Sequence, residues 1–209
     1  MKTYAPILAA AALALASCST QSPAVRQAQA LYNAGQYDKA IPLFLQEAYQ
    51  NNAEAQLMLA KCCDFGHGVP QDVTKAAQWY RKAAENGNAN AQNNLGGCYF
   101  DGAGVPKDLG AAFYWYDRAA KQGNASALNN VGLCYRNGEG VPQNALKAAQ
   151  AFRKSAEGGN ANGMYNYGRC YFHGLGVPQD LLKAREWITK AAQAGHKNAA
   201  AFMGDQGWN

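Results

Sequence analysis

The chain has 209 residues, 48% hydrophobic and only 16% charged, which is enough apolar material for a core and unlike the composition of a disordered chain. With 19 Lys and Arg against 14 Asp and Glu, the formal charge is +5. The charges are scattered, and no run of one sign forms a patch for nucleic acid or lipid headgroups.

The chain opens with Met1-Lys2-Thr3-Tyr4, an apolar stretch from Ala5 to Ala16, then Ser17 and Cys18. One basic residue, a short apolar core and small residues before a break make an export signal. The stretch falls short of the roughly 20 residues that a spanning helix needs. Leu15-Ala16-Ser17-Cys18 resembles a bacterial lipobox. The resemblance implies that residues 1–17 are a lipoprotein signal peptide, cut before Cys18, and that the Cys18 thiol carries a diacyl group. Residues 18–23 would then be a lipidated polar tether, and two or more acyl chains suffice for stable anchoring. Ser19, read by enterobacteria-like sorting, implies the outer membrane facing the periplasm, with surface exposure open. An ordinary signal peptide and a free Cys18 is the alternative.

In residues 24–50, Ala28, Leu31, Gly35, Tyr37, Ala40 and Phe44 resemble the ordinary tetratricopeptide pattern, which implies a helix, a shortened turn and a second helix. Pro42 stands inside that second helix, against the local rule.

From residue 53 the chain repeats. Gly-x-Gly-Val-Pro begins at Gly66, Gly102, Gly138 and Gly174, a constant step of 36. Gly96, Gly132, Gly168 and Gly204 keep the same step. So do Trp79, Trp115 and Trp187, with Ala151 in the remaining place. Periodicity without insertion delimits four units, 53–88, 89–124, 125–160 and 161–196. Within 89–124, Ala91, Leu95, Cys98 and Tyr99 share one helical face, and Gly102 to Pro106 end that helix. Asp108 is placed as the N-cap of the next, which carries Ala112, Trp115, Tyr116 and Ala119 toward a core. Gly123 closes it. Residues 197–209 repeat only the first helix and should cap the stack. Such hairpins cannot bury their apolar stripes alone, but stacked copies can.

Leu95-Gly96-x-x-Tyr99 followed by Ala112-x-x-x-Tyr116 resembles the tetratricopeptide superfamily. The 36-residue period, the Gly-x-Gly-Val-Pro turn and Lys75-Ala76-Ala77 or Lys147-Ala148-Ala149 resemble its Sel-one-like repeat branch. That resemblance implies an all-α, right-handed superhelical solenoid whose first helices line a concave face. Residues 24–50 read as an atypical tetratricopeptide-like first unit, so the solenoid would run 24–209.

Cys62, Cys98, Cys134 and Cys170 also keep the 36-residue step, with Cys63 beside the first. Equivalent positions on stacked helices lie about 8–10 Å apart, too far for a disulfide, which needs Cα atoms within about 7 Å. Free thiols in small buried slots are therefore expected, with a strained Cys62–Cys63 disulfide or a bond to another molecule as the alternative for that pair. The paired cysteines of the cysteine-rich relatives have no second member here.

His67, His173 and His196 fall at unrelated repeat positions, and no metal-ligand spacing, nucleophile elbow or phosphate loop is present. Neither a catalytic site nor a metal or cofactor is expected. The resemblance points instead to binding of a protein or peptide on the concave face, with no nucleic acid. The inward offsets select Lys61, Phe65, Asn93, Phe100 and Asp101, then Asn129, Arg136, Tyr165, Arg169, Phe172 and His173. These columns vary while core columns repeat, and they are rich in the aromatics and arginines of interface hot spots. The alternative for the phenylalanines is packing against neighbouring helices. Binding or weak hydrolysis of a β-lactam-like ligand, and a structural role at peptidoglycan, stay open.

Overall fold

The computed structural model describes residues 22–208 as eleven α-helices with no strand among them. They are α1 (Pro23–Asn33), α2 (Tyr37–Ala48), α3 (Ala53–Phe65), α4 (Val73–Glu85), α5 (Ala89–Asp101) and α6 (Leu109–Lys121). There follow α7 (Ala125–Asn137), α8 (Ala145–Glu157), α9 (Ala161–His173), α10 (Leu181–Gln193) and α11 (Ala199–Asp205). Cys18, the lipobox and residues 19–21 lie outside the described residues. Ser22 caps α1 through its hydroxyl, which accepts from the Val25 amide at 3.2 Å, and Pro23 is the first helical residue. The first unit thus reaches two residues into the segment read as tether.

Helices pair as hairpins and each hairpin touches its neighbours, giving a helical repeat solenoid. Two polar columns set the period. Asp72, Asp108, Asn144 and Asp180 cap the second helices, Asp108 accepting from the Ala111 amide at 2.9 Å. Asn52, Asn88, Asn124 and Asn160 cap the first helices, a role that helical spacing alone does not assign. These asparagines also reach back one unit. Asn88 Nδ2 donates to Glu54 at 3.0 Å, and Asn124 Nδ2 to Asn90 at 2.8 Å. One residue type therefore starts the first helix of each repeat and ties it to the preceding unit.

The Gly-x-Gly-Val-Pro turn is bound to the stack as well. Its second glycine, Gly140 in the third repeat, has φ 71°, and a Cβ there would overlap the Leu109 carbonyl of the preceding hairpin. Inside each hairpin the helices cross where Gly96, Gly132 and Gly168 face Tyr116, Phe152 and Ile188. The first unit keeps the same frame with other residues. Asn51 takes the left-handed position filled later by Gly87 and Gly123, at φ 62°, as asparagine tolerates. Pro42 lies on the exposed side of α2, where water can serve the carbonyl its missing N–H leaves free.

The tryptophan column corrects an expectation. Trp79, Trp115 and Trp187 are half-buried and not central to the core. A cation three residues on covers each ring: Lys82 and Lys190 at 4.4 Å, Arg118 at 5.1 Å.

Candidate functional site

Consecutive first helices are hydrogen-bonded to one another. Asn130 Nδ2 on α7 donates to Asn93 Oδ1 on α5 at 3.0 Å, and Asn166 Nδ2 on α9 donates to Asn129 Oδ1 on α7 at 2.8 Å. The second helices meet each other less closely than α7 and α9 do. First helices therefore form the inner wall, and the wall carries a ladder of side-chain amides. Arg136 extends the ladder, its Nη1 donating to Asn166 Oδ1 at 3.3 Å. Arg169, one turn after Asn166 on α9, holds its guanidinium 5.9 Å from the Tyr165 ring, with Nε buried and unpartnered. The structure thus brings Asn93, Asn129, Arg136 and Arg169 into one region.

Others behave differently. Asn129 is 6% exposed, so it links helices and does not project into the groove as its offset implies. The offsets of Phe172 and Tyr165 imply that both face the groove, and each is only partly exposed there. The closing helix and its flanks pack on them: Phe172 meets Phe202 and Trp208 edge-on at 5.2 and 5.8 Å, and Tyr165 stacks on His196, just before α11, at 4.2 Å. His173 is exposed beside Phe172, ring centroids 4.9 Å apart. Phe100 is half-buried beneath the Lys107 ammonium. Phe65 stays 61% exposed, Asp101 is exposed and Lys61 half-buried, toward the other end.

The variation of one inward column has a local cause. Asp64 accepts from the Tyr80 hydroxyl at 2.9 Å, and Arg136 lies over Phe152 at 5.9 Å. Each therefore answers the aromatic on its own second helix. Burial, with the Asp64 charge next, pushes the Tyr80 hydroxyl well above its ordinary pKa.

Cys62, Cys63, Cys98, Cys134 and Cys170 are free thiols. Burial pushes Cys62, Cys98, Cys134 and Cys170 up to about 11, which makes them poor nucleophiles at neutral pH. Among the described residues, no three of His, Cys, Asp and Glu gather where they could hold a metal ion. His67 is a packing residue that no sequence pattern explains. Its Nδ1 shares a proton with the Tyr32 hydroxyl at 2.7 Å, and its ring stacks on Tyr37 at 4.8 Å. The first Gly-x-Gly turn is thereby clipped to the first hairpin.

Four consecutive copies of the Sel1 repeat match residues 53–88, 89–124, 125–160 and 161–196, more than half of the chain. The chain belongs to the Sel1 repeat family. Members of this family generally serve as protein-interaction scaffolds. A Sel1 repeat protein from Oxalobacter formigenes is 34% identical with a TM-score of 0.82, over 88% of this chain and 74% of that one. A protective antigen of uropathogenic Escherichia coli with an SLR fold is 32% identical, TM-score 0.78, covering 88% of this chain but 41% of its own. Cysteine-rich protein B of Helicobacter pylori is 25% identical, TM-score 0.51, over 63% of this chain and 95% of that one. No curated protein matches.

Proposed function

We propose that this Sel1 repeat protein is a non-enzymatic, lipid-anchored scaffold of the bacterial cell envelope that holds a segment of a protein partner along its inner wall. The observation that carries the reading is the amide ladder from Asn93 to Asn166 with Arg136 and Arg169 at one end. Side-chain amides both donate and accept, as a peptide backbone does. The guanidinium groups add anchors for carboxylates. The anchor follows from the resemblance of Leu15 to Cys18 to a lipobox.

The test is capture of partners from the organism's envelope by the mature protein and by Arg136→Ala and Arg169→Ala. Truncating a central arginine of an interface should cost about 2 kcal/mol of binding or more. Each variant should lose no more than about 1 kcal/mol of folding stability, since both side chains are only half-buried. Full partner retention with normal melting would remove the inner wall from consideration. Independently, Cys18→Ser should abolish fatty-acid labelling, and a wild-type protein that takes up no label would refute the anchor.

A further inference from the structure

The outer face carries a notch that the repeat itself measures. Each tryptophan of the column sits between the second helix of the preceding unit and both helices of its own. Trp115 packs on the cluster containing Ala84 and Leu95, and Trp187 meets Tyr167 edge-on at 5.3 Å. In the third repeat the position is Ala151. The cavity there has a volume of about 630 Å³, within the range of about 300–1,000 Å³ of ligand pockets. At the equivalent place in the first repeat, where Trp79 stands, the cavity is about 210 Å³. Leu128, Val131, Tyr135, Ala120 and Ala151 supply its apolar lining. Leu128 replaces the buried Gln56 and Gln92 of the earlier units, so the floor has also lost its amide.

Charge defines what fits. Lys121, Lys147 and Lys154 line the opening with Asp117, and Asp117 is paired to Lys121 at 2.6 Å. Lys147 lies over the Tyr135 ring at 5.2 Å, and neither it nor Lys154 has an acidic partner among the described residues. Lys154 corresponds to Lys82 and Lys190, which each cover a tryptophan ring at 4.4 Å. In the third repeat, the cation is present and its ring is absent.

We propose that this notch binds a tryptophan side chain of a partner polypeptide, flanked by acidic residues. The indole fills the space that the chain's own column fills elsewhere and restores the cation–π contact to Lys154. A flanking carboxylate meets Lys147, which has no acidic partner among the described residues. This site lies on the face opposite the inner wall and does not depend on binding there.

The experiment titrates the protein with Ac-Glu-Trp-Glu-NH2 up to about 1 mM, following the methyl resonances of Ala151, Leu128 and Val131. Saturable shifts are expected, with none for Ac-Glu-Ala-Glu-NH2 and at least about fivefold weaker binding of Ac-Lys-Trp-Lys-NH2. Ala151→Trp restores the column and should reduce binding at least about tenfold without lowering the melting temperature. Lys154→Glu, at an exposed position, should weaken the acidic peptide at least about fivefold even if Ala151→Trp folds poorly. Arg169→Ala should change nothing, which separates this site from the inner wall. Absence of saturable shifts, or unchanged binding in Lys154→Glu, overturns the proposal. So does a wild-type dimer that Ala151→Trp dissociates, for the occupant would then be a second copy.

Discussion

Gly132 and Gly204 occupy the same column and should respond to the same substitution with opposite sign. Gly132 faces Phe152, and an added Cβ would come within 2.5 Å of the ring. That ring is fully buried and has no room to retreat. Gly204 has nothing within 4 Å, and α11 is the last helix among the described residues. Gly132→Ala is therefore expected to destabilise by about 1–3 kcal/mol, the cost of overpacking. Gly204→Ala should stabilise by up to about 1 kcal/mol, the ordinary gain of alanine over glycine in a helix. Denaturant midpoints decide it, and two changes of the same sign would contradict the crossing geometry. Similar reciprocity appears at Ser155 and Gly163, where the other units have alanines. The Ser155 hydroxyl donates to the Ala125 carbonyl at 2.6 Å and takes the space a Cβ at Gly163 would need. A column therefore specifies a pair and not a residue.

At the scale of the element, the helices were legible because each apolar face recurs at helical spacing and each break carries glycine, proline or an Asp cap. The residues that sequence reasoning misplaced are those whose neighbour belongs to another unit. Phe172 shares its offset with Arg136, but only Phe172 lies under the closing helix, where Phe202 and Trp208 meet it. Nothing local to α9 reveals that cover. His196 shows the same dependence. It stands where earlier units have the capping asparagine, and α11 begins late, at Ala199, with no side-chain cap. Its ring lies on Tyr165 instead, with Nδ1 buried and unpartnered. Burial lowers its pKa from the ordinary 6.5, so the folded cap holds it neutral. The unfolded chain takes up a proton as pH falls through 6.5, and the folded chain does so only at a lower pH. The stabilisation is thus complete above 6.5 and declines below it. Trp208 fluorescence should report loosening of the cap on acidification from about pH 7.5 to 5. His196→Phe, which keeps the stack on Tyr165, should flatten that response. An unchanged pH profile in the variant would exclude His196 as its source.

The whole molecule has no centre, since each hairpin packs only on its neighbours. The arrangement of the stack was readable from one period. The composition of its surfaces was not, because a column's exposure depends on which neighbours exist and on single exchanges such as tryptophan for Ala151. The ends are the sensitive points. The first unit is held by the His67 clip between Tyr32 and Tyr37 and by Ser22, whose hydroxyl donates to Glu47 at 2.7 Å. The last unit is held by α11, which with Trp208 covers Tyr165, Met164 and Ile188. Ending the chain after Gly195 should uncover that surface. Complete burial of one such side chain contributes about 1.5–3 kcal/mol, and here several side chains are each uncovered in part. The truncated protein is expected to be less stable by roughly 2–4 kcal/mol. Amide exchange should accelerate mainly in α9 and α10, while α3 to α6 keep most of their protection, since coupling passes only between adjacent hairpins. The truncated chain should also self-associate, the bare end offering Tyr165 and Phe172 to the same face of another molecule. Uniform acceleration along the whole chain would mean that the stack unfolds as one cooperative block, and the nearest-neighbour account would fail.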